Sequence, residues 1–130
     1  MPHPLNIQTV PGQYAIARLA PDSNFPDWLN GPGFTAAIRA SDELTLVCLQ
    51  DRVPLGVQYA PDWICLRSLG PFPFNASGIV YSFISPISDK GIGVFVVCTF
   101  DGEHVLVPDL QAAEAKAALE AAGHTVTDAP

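Results

Sequence analysis

The sequence predicts an α+β fold with the element order βαββαβ, and three observations predict it. An apolar strand, Trp63–Leu69 (WICLRSL), is ended by the breaker Gly70-Pro71-Phe72-Pro73 and followed by a helical pattern. Two further apolar segments, Ile92–Thr99 and Glu103–Val107, meet across Asp101-Gly102, a strong hairpin signal. An Ala-rich helix over Leu110–Ala122 then stops at Gly123, ahead of a short strand, His124–Thr127. This order is the split βαβ arrangement, one antiparallel sheet with both helices on one face.

Each element has a local cause. The first helix is predicted over Asn75–Lys90, with Asn75 or Ser77 as cap and Gly91 as the left-handed stop. Ile79, Phe83, Ile84 and Ile87 form its apolar stripe at helical spacing. Pro86 cannot donate to the carbonyl of Ser82, which predicts a kink or an early end. Asp101-Gly102 predicts a type I′ turn, and Asp109 is placed to cap the Ala-rich helix.

The first half repeats the scheme in shortened form. Gln13–Leu19 reads as a strand, Phe25–Leu29 as one helical turn at most, and Gly33–Arg39 with Glu43–Leu49 as a hairpin around Ala40-Ser41-Asp42. Asp51–Val53 is a vestigial second helix ahead of Pro54. The expected organisation is an abbreviated module over 1–61 and a complete one over 62–130. Strand Ile92–Thr99 is apolar on both faces, with Phe95 and Val97 opposite Ile92, Val94, Val96 and Cys98. Its second face is therefore expected to be buried against the first module or a second subunit.

Composition narrows the function. The chain has 130 residues, 48% of them hydrophobic and 15% charged, which suits a packed globule rather than a disordered one. Its formal net charge is −7 and no basic stripe occurs, which argues against binding to nucleic acid or an anionic membrane surface. The longest apolar run, Ile92–Cys98, is far too short to span a bilayer. The first residues, MPHPLNIQTVPG, lack the basic and apolar regions of a secretory signal, so a cytoplasmic location is expected. Cys48, Cys65 and Cys98 are read as free thiols, and no CxxC or His-x-His spacing suggests a metal or other cofactor.

The polar residues gather at the seams. Asn75, Ala76, Ser77 and Gly78 are expected to open the helix, and Thr99, Phe100, Asp101, Gly102 and Glu103 to close the hairpin. A helix start offers unpaired N–H groups to a carboxylate or phosphate. Brought together by the sheet, the two seams would form a ligand-sized notch without catalytic groups. The sequence points to binding.

These residues resemble a known family, the ACT-repeat proteins, and the second module is similar to that of the CASTOR-type cytosolic arginine sensors. The resemblance rests on Gly33–Cys48 (GFTAAIRASDELTLVC) and on Asn75–Pro108, with its Gly-Ile-Val, helical proline and hairpin tip. It implies tandem ferredoxin-like ACT modules that bind an amino acid or similar small metabolite and regulate a partner protein. It places the ligand's carboxylate and amine near Gly78, Ile79, Thr99 and Phe100, with Glu103 where the family has an aspartate. Ala76 stands where the arginine sensors have a glutamate, Cys98 replaces a serine, and Gly102 replaces a larger residue. These departures argue against arginine. The resemblance further implies a homodimer in which Ser82 and Phe83 of the neighbouring subunit complete each pocket.

Two rivals follow from the same residues. One is a module that has lost its ligand and serves only for dimerisation or docking, as the alanine at 76 and glycine at 102 allow. The other is an enzyme using Cys98 with His104. A two-residue turn would pair Cys98 with Val105 and His104 with Thr99, on opposite faces of the hairpin, so the expectation is no enzyme.

Overall fold

The computed structural model describes residues 3–73 and 75–129. Its strands are β1 (Asn6–Leu19), β2 (Ala36–Arg39), β3 (Leu44–Leu49), β4 (Gln58–Ser68), β5 (Phe95–Cys98), β6 (Glu103–Pro108) and β7 (Thr125–Asp128). Its helices are α1 (Ile79–Ser88) and α2 (Ala112–Ala121), with 3-10 turns at Asp27–Leu29, Gln50–Arg52 and Asp109–Gln111. The chain forms two units. One is Gly12–Trp63, and the other joins the segment through Pro11 to the chain from Ile64 onward.

The second of these contains the expected βαββαβ order as β4-α1-β5-β6-α2-β7. Phe83 and Ile87 of α1 and Ala112, Ala115 and Leu119 of α2 share one buried cluster with Leu66, Val105 and Val107 of the strands. Both helices therefore cover the same sheet face, and they also pack on each other. Each large apolar side chain buried there contributes about 1.5–3 kcal/mol. Leu5 and Ile7 join the same cluster, so residues up to 11 belong with this unit rather than with an N-terminal module over 1–61. The reason is pairing: Asn6–Thr9 of β1 run parallel to β7, in register Asn6 with Thr125 and Thr9 with Asp128. That pairing is also a departure from an all-antiparallel sheet.

His124 secures the junction. Its Nδ1 accepts the Leu5 N–H at 3.0 Å, so its Nε2–H donates to the Ser82 carbonyl at 2.7 Å. The His3 N–H in turn donates to the Ser82 hydroxyl at 2.8 Å.

Several boundaries differ from expectation. Helix α1 starts at Ile79, not Asn75, because Gly78 sits at φ +82° and cannot continue a right-handed helix backwards. No side chain caps it, so Asn75 and Ser77 are not caps. The helix runs through Pro86 and ends at Ser88, with Gly91 at φ +75° beyond it. Asp109 belongs to a 3-10 turn, and Gln111 precedes α2. Strand β1 is longer than the expected Gln13–Leu19, because Gly12 at φ +100° carries it past Pro11. In β5, Phe95 and Val97 are half-buried rather than buried, while Leu106, the cross-strand partner of Phe95, is fully buried.

The hairpin turn also differs. Cys98 pairs with Glu103 and Val97 with His104, and Thr99 N–H donates to the Gly102 carbonyl at 2.7 Å. The turn therefore centres on Phe100-Asp101, and neither Asp101 nor Gly102 has the positive φ of a type I′ turn.

In unit Gly12–Trp63, Tyr14–Leu19 of β1 pair with β3, and β3 pairs with β2, both antiparallel. Ala17, Leu29, Leu44, Leu46 and Cys48 form its core. The fully buried Tyr14 accepts the Phe34 N–H on its hydroxyl at 2.9 Å. Asp27–Leu29 is a single 3-10 turn, and the vestigial second helix expected at Asp51–Val53 is the 3-10 turn Gln50–Arg52, which no α-helix follows in this unit.

The two units share a repeat with constant spacing. Arg39 and Cys98 end their strands, Leu44 and Glu103 begin the next, and Gln50 and Asp109 open the 3-10 turns that follow, each pair being 59 positions apart. Both hairpin loops close with the same bond, Ala40 N–H to Glu43 carbonyl and Thr99 N–H to Gly102 carbonyl.

Candidate functional site

The start of α1 and the tip of the β5–β6 hairpin enclose a cavity of about 260 Å³. Gly78, Ile79, Val80 and Tyr81 approach from the helix side, and Cys98, Thr99, Phe100, Gly102 and Glu103 from the hairpin. Phe72, Pro73 and Ala76 complete the wall. Of the nine residues singled out in the sequence, Ala76, Gly78, Ile79, Thr99, Phe100, Gly102 and Glu103 line this cavity. Ser82 and Phe83 do not.

Ser82 and Phe83 lie in the protein's own interior, 3% and 0% exposed. Ser82 is held there by His3 and His124, and Phe83 packs in the helix–sheet cluster. Neither side chain is presented to a neighbouring copy, so the expected trans contribution fails. Cys98, singled out in the sequence only as a replaced serine, also lines the cavity, and Phe72, Pro73, Val80 and Tyr81 were missed as wall residues. The Gly70-Pro71-Phe72-Pro73 segment reads only as a breaker in one dimension, and its contact with the hairpin is non-local.

Two glycines permit that contact. A Cβ at Gly70 would fall 2.1 Å from the Asp101 carbonyl oxygen, and one at Gly102 would fall 2.9 Å from the Ser68 hydroxyl. Gly102 is thus a packing requirement as well as a loop residue.

The chemistry centres on Glu103. It is 5% exposed, and the Ser68 hydroxyl donates to its Oε1 at 2.8 Å while its own N–H donates to the Ser68 Oγ at 3.2 Å. Among the described residues lining the cavity, Glu103 is the sole charged one. Opposite it, the first-turn amides of α1 have no acceptor within the helix. The cavity therefore offers one acid and one set of aligned donors.

The repeat sharpens this. Fifty-nine positions before Glu103 stands Leu44, fully buried and paired across the sheet with Leu19. A leucine pair in one unit corresponds to a buried serine–glutamate pair in the other. Burying a carboxylate is costly, whereas the leucines need no partners.

Little else at the site is reactive. Burial pushes the Cys65 thiol up to about 12, with Arg67 opposing, and burial also raises Cys48 against the effect of Arg52. Cys98 is exposed. His104 is driven down to about 4, mainly by burial and further by Arg67. Cys98 is opposite Glu103 and His104 opposite Val97, so the thiol and imidazole leave the hairpin on opposite faces. Among the described residues, no group of three or more His, Cys, Asp or Glu side chains could hold a metal ion. No helix among them is long and apolar enough to cross a membrane. A second hollow, lined by Gly12, Gln13, Leu49, Gln50 and Asp51, contains no buried charged group.

A family model for the ACT domain matches residues 58–121. This chain contains an ACT domain. A separate N-terminal domain model matches residues 12–55 of this ACT-domain protein. Its fold is similar to an X-ray structure of a protein from Agrobacterium tumefaciens, with a TM-score of 0.93 and 42% identity over 98% of this chain and 96% of that one. A Vibrio cholerae protein of unknown function, described as a possible transport protein, matches with a TM-score of 0.74 and 20% identity over 92% and 90%. Aspartate kinase of Clostridium acetobutylicum, described as an allosteric enzyme, shares the fold with a TM-score of 0.66 at 12% identity, over 87% of this chain and 33% of the kinase. No protein of curated function matches the sequence.

Proposed function

We propose that this ACT-domain protein is a non-catalytic regulatory protein that binds an amino acid, or a similar small zwitterion, between α1 and the β5–β6 tip. One observation carries the reading. The position filled by fully buried Leu44 in one unit holds a buried carboxylate, Glu103, in the wall of a cavity in the other. A group retained at a cost to folding is expected where it serves function.

In this reading the ligand's carboxylate meets the opening amides of α1, and its ammonium meets Glu103 with Thr99 beside it. A carboxylate at a partly buried helix start gains up to about 2 kcal/mol from the dipole. Each hydrogen bond to a charged group adds about 1.5–3 kcal/mol. Less the ordering costs, a few such contacts support micromolar binding, about −8 kcal/mol.

We further propose a homodimer assembled through the pocket-bearing unit. In this unit's strand order β5 lies at the end, and Tyr81 and Phe100 are 71% and 77% exposed. Free thiols at Cys48, Cys65 and Cys98 support a reducing compartment, the cytoplasm. The occupant would act by biasing a protein partner.

The test is a thermal-shift screen of the twenty amino acids and related metabolites, combined with alkylation of Cys98. That thiol lines the cavity, and the other two are buried. A ligand at 100 times its Kd raises stability by about 2.7 kcal/mol and is expected to slow alkylation. A screen in which no compound moves either readout, with the protein dimeric in sedimentation, overturns the binding function in favour of docking alone.

A further inference from the structure

We infer that the ligand is an amino acid with an uncharged, apolar side chain, of leucine to phenylalanine size. This inference rests on the cavity being an amino-acid site, and it concerns the end of the ligand that the zwitterion-binding groups leave free.

The argument is one of charge and surface. Glu103 is the sole charged group among the described residues of the wall, and an ammonium uses it. A guanidinium or second ammonium would enter without an acid of its own and lose hydration. A side-chain carboxylate would meet no base and would share the space with Glu103, where like charges repel. Ionic side chains of either sign are therefore excluded by the same wall.

Apart from Thr99 and Cys98, the side chains that remain are apolar or aromatic. Phe72, Ile79, Val80, Tyr81 and Phe100 all line the cavity. Phe72 is seated beside Gly102, where a Cβ would stand 3.6 Å from its ring. Tyr81 and Phe100 keep most of their surface exposed, and each could bury apolar area by covering a ligand side chain. The volume, about 260 Å³, lies just below the usual range of ligand pockets, which favours a single amino acid over a nucleotide.

The experiment compares leucine, phenylalanine, arginine and glutamate as probes, by calorimetric titration and by protection of Cys98 from alkylation. Leucine or phenylalanine is expected to bind at least tenfold tighter than arginine and glutamate and to protect Cys98. Arginine or glutamate binding as tightly as the better apolar probe overturns the inference while leaving the amino-acid function intact. Silence from all twenty amino acids overturns that function, and this inference with it. Tyr81→Ala supplies a second test, since an exposed side chain is removable without loss of the fold. It should weaken the preferred apolar probe about tenfold at an unchanged melting temperature, and unchanged affinity overturns the aromatic contact.

Discussion

The β2–β3 and β5–β6 hairpins follow the same plan with different contents at one position. Both close with the same backbone bond, and both lead into a 3-10 turn at matching distance. Where the first buries Leu44 against Leu19, the second buries Glu103 against Ser68. The fold accepts an apolar pair at this corner, so the acidic pair is not a demand of the backbone. What differs between the hairpins is what the proposed function rests on, and what they share serves the fold.

The largest effect should come from exchanging these roles. Leu44→Ala should cost about 2–5 kcal/mol, because it opens a cavity in a filled core. Glu103→Leu combined with Ser68→Ala, which removes both partners of the buried hydrogen bond, should leave stability unchanged or raised while removing the ligand response. Denaturant unfolding of both variants measures the contrast, and comparable losses would break it.

Glu103→Gln sharpens the same point. The amide keeps an acceptor for the Ser68 hydroxyl but removes the negative charge. Ligand affinity should fall by about 1.5–3 kcal/mol, roughly 10–150-fold, with the free protein's midpoint little changed.

The third comparison uses glycines. Gly102→Ala places a methyl 2.9 Å from the Ser68 hydroxyl and should cost about 1–3 kcal/mol while disturbing Glu103. Gly93 has open space at its Cβ position and no positive φ, so Gly93→Ala should stay within about 0.5 kcal/mol.

The smallest effect is a pH dependence. His104 occupies the position of Thr45 in the other hairpin, 59 residues earlier. Its folded-state pKa lies near 4, below the ordinary 6.5, so the folded protein holds it neutral. The unfolded chain binds the extra proton between those values, so stability is full above pH 6.5 and declines as the pH falls towards 4. His104→Thr should remove that part of the slope, about 1 kcal/mol or less for a half-buried ring. Superimposable wild-type and variant melting curves across the window would show the histidine to be inert.

The sequence made the order of elements legible because hydrophobic alternation and Ala-rich helical composition are local signals. Local signals also misplaced three boundaries. Asn75 and Ser77 carry cap chemistry, yet the left-handed Gly78 decides where the helix starts. Asp101-Gly102 carries turn chemistry, yet the Ser68–Glu103 contact accompanies a register centred one residue earlier. The strand is expected to begin at Gln13, yet Gly12 lets β1 extend back to Asn6. The meeting of helix start and hairpin tip was readable from the order of elements. The burial of Glu103, its serine partner and the Phe72 wall were not, because each depends on segments about 30 residues apart in the chain.

The division of the chain has a consequence for biosynthesis. Gly12–Trp63 is continuous and can be completed while translation proceeds, but the pocket-bearing unit draws Leu5 and Ile7 from near the start and β7 from near the finish. Its core must await the final strand before parallel pairing can close it, an assembly of high contact order. Until the ribosome has delivered Thr125–Asp128, the opening segment can bond to Leu69 and Ser82 but lacks its parallel neighbour, and the helix–sheet core stays open on that side.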